Sequence, residues 1–169
     1  MNRILFSLFI LHFSFELALA KDWKVTNSKS GFEVTIDGEL FAGYVTDQAN
    51  KPYFYPIIGP TGAHMTRHYP MKDIEDERQD HPHHRGINFG HHKVNGSNIW
   101  LERKSLERHL ERKSSEEQKE ILSVMGYTEH TGYKSIQVAN DHAIVVVSNN
   151  YTDYLRNSIM KDERPYTMR

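Results

Sequence analysis

The stretch Phe32-Glu33-Val34-Thr35-Ile36-Asp37-Gly38-Glu39-Leu40-Phe41-Ala42-Gly43-Tyr44 decides the fold class. Phe32, Val34 and Ile36 alternate with polar residues, and Leu40, Ala42 and Tyr44 alternate again after Asp37-Gly38. Successive side chains of a strand point to opposite faces, so each run reads as a strand with one buried face. Asp-Gly between two such runs signals a tight hairpin, because a type I′ turn needs positive φ at both central residues. The expectation is an antiparallel, all-β protein.

Outward from the hairpin the pattern continues. Residues 53–58 read as another strand, and Pro52 and Pro56 place it at a sheet edge, where a missing N–H does least harm. Residues 59–80 form a long irregular connection broken by Gly59-Pro60 and Gly62; loops of this kind are functional or disordered. A strand begins at 87–89, and the Asn95-Gly96 turn leads into Ile99-Trp100. Residues 121–125, 135–139 and 143–147 complete the strands, the last two joined by Asn140-Asp141. One segment breaks the β pattern. Residues 102–120 are mostly Glu, Lys and Arg of both signs, with Leu106 and Leu110 at i, i+4, and read as one charged, solvated helical insertion.

The amino-terminal twenty residues read as a signal peptide. Arg3 supplies the positive region, an apolar run follows, and Ala18-Leu19-Ala20 suits cleavage before Lys21. The run is too short to span a bilayer, which takes about 20 apolar residues. The expected product is exported, periplasmic or extracellular, with no membrane segment after cleavage. It has no cysteine, so its core, or a metal or partner, is expected to hold it together without disulfides. A net charge of −1 argues against a nucleic-acid partner. Residues 21–169 are expected to form a single domain.

Seven of the eleven histidines lie between His64 and His92, centred on Asp80-His81-Pro82-His83-His84-Arg85-Gly86 and followed by His91-His92. A chain does not need this many imidazoles in so short a span merely to fold, so a ligand, metal or substrate is expected here. Three readings stand at this point. In the first, His81, His83, His84 and His91 act as acids and hydrogen-bond partners toward a small hydroxylated molecule. Arg85 and Arg67 then hold its oxygens, while Tyr53, Tyr55 and Trp100 provide contact surface. In the second, His81-x-His83 binds a metal, though Arg85 stands where a carboxylate ligand would be favourable. In the third, the histidines satisfy turns and carbonyls. Gly86 and Gly90 interrupt any extended strand, marking a bulge or a close backbone approach. The residues name no cofactor.

From Lys51 to Trp100 the chain resembles secreted bacterial proteins of the "methane oxygenase PmoA" family. Pro52-Tyr53-Phe54-Tyr55-Pro56, Gly59-Pro60, Thr66-Arg67, Pro70-Met71, Asp80-His81-Pro82-His83-His84-Arg85, Phe89, His91, Val94-Asn95-Gly96 and Trp100 carry the likeness. It resumes near residues 126–130 and at Lys161-Asp162-Glu163-Arg164, which looks like a further strand. The resemblance implies a galactose-mutarotase-like β-sandwich that binds or transforms carbohydrate, with a non-catalytic binding module or a metal-dependent oxygenase as alternatives. Family members run to about twice this length, as large single-domain sandwiches can. On that comparison the chain is expected to be the amino-terminal half of the family domain. Half a sandwich leaves apolar surface and free strand edges, so self-association is expected as well.

Overall fold

The computed structural model describes residues 20–169. Apart from Ala20, the expected signal peptide lies outside the described residues. The first sheet runs in chain order: β1 (Trp23–Ser28), β2 (Gly31–Ile36), β3 (Glu39–Val45), β4 (Tyr53–Ile57) and the short β5 (Ile87–Asn88). Two helices follow, α1 (Arg103–Leu110) and α2 (Ser115–Ser123). A second sheet is a meander of β6 (Tyr127–Val138), β7 (Ala143–Thr152) and β8 (Ser158–Met168). All strand pairings between named strands are antiparallel, and the fold is all-β and sandwich-like.

The decisive hairpin forms as its sequence dictates. Ile36 pairs with Glu39 across Asp37 and Gly38, whose φ values of 53° and 85° fit a type I′ turn. Phe32 and Val34 then share an inward face with Ala42 and Tyr44, and they meet Ala143, Val145 and Val147 of the facing sheet. Full burial stabilises each large apolar side chain by roughly 1.5–3 kcal/mol. Aromatic rings close the layer. Phe32 stacks on Tyr44 at 4.9 Å between centroids, and Tyr166 of β8 meets Phe54 edge-on at 4.8 Å. β4 is not the edge strand expected from Pro52 and Pro56. β5 pairs with Tyr53 and Phe54 on its outer side, and beyond Pro56 the Met65 N–H bonds the Ile57 carbonyl at 2.8 Å. Pro56 falls in the gap between these two pairings.

Residues 102–125 differ from the expectation. The charged run folds as two helices, not one, and residues 121–125 continue α2 and its exit instead of forming a strand. Ser114 explains the break. Its hydroxyl accepts the Glu117 N–H while the Glu117 carboxylate accepts the Ser114 N–H, a capping box that starts a new helix. Leu110, Leu122 and Met125 then bury together against Leu106, Ile121 and Tyr154. No helix among the described residues is long and apolar enough to cross a membrane.

Candidate functional site

The irregular connection after β4 is tied down by two side chains. The Glu77 carboxylate accepts the N–H groups of His68 and Tyr69 at 2.8 Å, which holds the carboxyl below the usual carboxylate range. Arg67 reaches across the loop, donating to the Tyr69 carbonyl at 2.9 Å, to the Asp80 side chain at 2.9 Å and to the Asp80 and His81 carbonyls. The chain then turns at His81, whose φ is +47°, and the His84 N–H closes back on the His81 carbonyl at 2.9 Å. Next comes Gly86. Its φ is +45°, and a Cβ built there would lie 1.9 Å from the Phe54 carbonyl oxygen. Only glycine lets the loop lie this close to β4.

This turn gathers three imidazoles that an extended strand would have divided between two faces. His81 and His84 stack nearly parallel at 5.0 Å, and His83 meets His84 edge-on at 4.4 Å. Trp100 completes the group, 5.8 Å from His83 and 5.5 Å from His84. Each of two rings has an orienting partner: Asp80 Oδ2 lies 3.2 Å from His81 Nδ1, and Ser105 Oγ lies 2.9 Å from His83 Nδ1. Burial, followed by the neighbouring imidazole, lowers the affinity of His83 and of His84 for protons. Both are therefore neutral near pH 7, able to donate from one ring nitrogen and accept at the other.

Behind the imidazoles lies a buried ion group. Glu102 accepts from Lys51 Nζ at 3.1 Å and from Arg85 Nε at 2.9 Å. Lys51, 1% exposed, spends its other donors on the Trp100 carbonyl and the Asn50 side chain. Burial opposes its charge and pulls its pKa down, while Glu102 pulls the other way. Asn50 in turn donates to the carbonyls of Leu101 and Gly126, fixing the entry to α1 against the start of β6.

The remaining expected residues are placed as follows. Tyr53 is buried, its ring 5.7 Å from the Arg85 guanidinium and its hydroxyl bonded to Gln48. Tyr55 meets His68 edge-on at 6.2 Å, and His68 forms a separate pair with His64 whose rings lie 4.4 Å apart. The His91 ring packs on Phe89, and its carbonyl accepts the Ile99 and Trp100 N–H groups, which seats Trp100. Among the described residues no three His, Asp or Glu side chains are arranged to hold a metal ion. Lys51 and Glu102 were not legible as site residues. Glu102 reads as the first of a solvated charge run, and only its position directly after apolar Ile99-Trp100-Leu101 hinted at burial.

No curated protein and no solved structure matches the chain. A family model does, over residues 31–169, and the chain accordingly belongs to the family of unknown function DUF6807.

Proposed function

We propose that the protein binds, and in a catalytic version of the reading transforms, a carbohydrate at the surface made by His81, His83, His84 and Trp100. The observation that carries this reading is the packing of three imidazoles against one another and against a part-exposed tryptophan. Sugar hydroxyls need partners that both donate and accept, which neutral imidazole supplies, and the apolar face of a pyranose suits an indole. His81, oriented by Asp80, is the group best placed to move a proton to or from a hydroxyl. Arg67 and Tyr53 serve from behind, one holding the loop and one supporting Arg85. The resemblance to secreted PmoA-named proteins with a galactose-mutarotase-like architecture supports the same class of ligand. Export through the amino-terminal leader belongs to this reading too.

Calorimetric titration with a panel of neutral mono- and disaccharides, and with Zn²⁺, tests it. A sugar in the panel should bind, and His84→Ala or Trp100→Ala should each weaken it by about one order of magnitude. Stoichiometric Zn²⁺ binding that survives Arg85→Ala and is lost in His83→Ala would overturn the reading in favour of a metal site.

A further inference from the structure

Arg85 also lines a cleft that none of the imidazole-surface residues reaches. This cleft, of about 610 Å³, runs between the loop after β3, the start of α1 and the first half of β6. Its wall includes Arg85 and Glu102 of the buried ion group, and His130 of β6, while Arg103, Lys104 and Arg156 stand around it. None of His81, His83, His84 and Trp100 lines it.

Two basic side chains, Lys51 and Arg85, share the single carboxylate of Glu102, so the buried group carries one positive charge in excess whenever Lys51 is protonated, and burial makes that charge costly. Lys51 has three acceptors for its three donors, whereas Arg85 donates to Glu102 through Nε alone. Beyond Nε, its guanidinium has the Tyr53 hydroxyl as a side-chain partner. A guanidinium carries five N–H donors in a fixed fork, so most of its capacity is unspent. His130 has a buried Nδ1 with no partner among the described residues. At the rim, Arg156 is neutralised by Glu129 at 2.7 Å and stacks on Tyr127, leaving Arg103 and Lys104 as surplus positive charge against Asp47.

A surplus buried charge is costly unless an opposite charge meets it. We propose that this cleft binds the carboxylate of a small acidic molecule, with the Arg85 fork gripping the oxygens and His130 donating or accepting beside them. A planar carboxylate matches the guanidinium fork in geometry, and a monoanion matches the single excess charge of the ion group. The volume is in the range of pockets that enclose small molecules. This site is independent of the imidazole surface and does not rest on that reading.

The test is an NMR titration of the isotopically labelled protein with acetate, glucuronate and, as a neutral control, glucose. Either carboxylate should saturably shift the His130 ring and the Arg85 Nε–H signals, while glucose leaves both in place. Arg85→Gln should weaken carboxylate binding by about tenfold or more, the loss of a charge-assisted hydrogen bond. Should that variant fail to show a cooperative melt, the wild-type shift map decides alone. No saturable shift with either carboxylate overturns the proposal. So does an equal response to glucose, or a carboxylate response confined to His81, His83 and His84. Failure of neutral sugars to perturb His84 and Trp100 would strike the imidazole surface and leave this site standing.

Discussion

At Gly86 the backbone conformation and the space for a side chain fail together. With φ at +45° and the Phe54 carbonyl where a Cβ would go, Gly86→Ala forces the histidine loop away from β4. Gly38 separates the two effects, since its φ is +85° but nothing lies within 4 Å of an added Cβ. Left-handed backbone costs an ordinary residue roughly 1–2 kcal/mol. Gly38→Ala should therefore lose about that much in urea unfolding, and Gly86→Ala clearly more, with loss of sugar binding. Equal losses at the two glycines would mean that the loop yields freely. Glu102 answers to a different rule. Glu102→Gln leaves Lys51 and Arg85 facing each other in the interior, and breaking a buried pair in this way costs roughly 3–5 kcal/mol. Gly86 was legible in sequence as a point of close approach, because a glycine that interrupts an extended stretch often marks a bulge or a close backbone contact. Glu102 was not, since charge alone does not say whether a carboxylate faces water or a pair of buried cations.

Among the elements, the strands that alternate cleanly were the easiest to read. β7 shows why: Ala143, Val145 and Val147 are fully buried while the intervening residues are not, and period-2 burial is visible in the letters themselves. β1 is hard to read because only Trp23 and Val25 line its inward face before Asn27 ends the apolar stripe. The junction of the two helices is the hardest element to read from the letters. No glycine or proline marks the break near Lys113; the signal is Ser114 three residues before Glu117, whose reciprocal bonds start α2. Glu117 is held to about pKa 2 by the Ser114 N–H and by Lys113. Ser114→Ala should cost about 1 kcal/mol, the usual worth of an N-cap. Because the helices have their own small core of Leu110, Leu122 and Met125, the effect should be local. Hydrogen exchange should speed up across α2 while β7 amides keep their protection. Uniform acceleration through both sheets would show that the helices and the sandwich unfold as one unit.

Across the whole molecule, folding desolvates imidazoles that the unfolded chain leaves in water. His83, His84 and His130 all have proton affinities lowered from the ordinary 6.5, with burial the largest cause in each. The native state therefore prefers these rings neutral. Above pH 6.5 they are uncharged in both states and their contribution to stability is complete. As pH falls below 6.5 the unfolded chain takes up protons first, so stability declines until the native rings titrate in turn. The carboxylates with lowered pKa, among them Asp80 and Glu77, act in the same direction but only below their unfolded values near 4. Between pH 6.5 and 5 these histidine terms should therefore act before the carboxylates contribute. Urea midpoints should be lower at pH 5 than at pH 7.5, and His130→Phe should flatten part of that dependence, since burial is the sole cause of its shift. His130 lines the acidic-ligand cleft, whereas His83 and His84 belong to the imidazole surface. A saturating neutral sugar that orders His83 and His84 should raise the midpoint at pH 7.5 without changing the share of the slope that His130→Phe removes. A midpoint that stays level or rises on acidification to pH 5 would mean that these rings keep water, or a partner for their charge, in the native state.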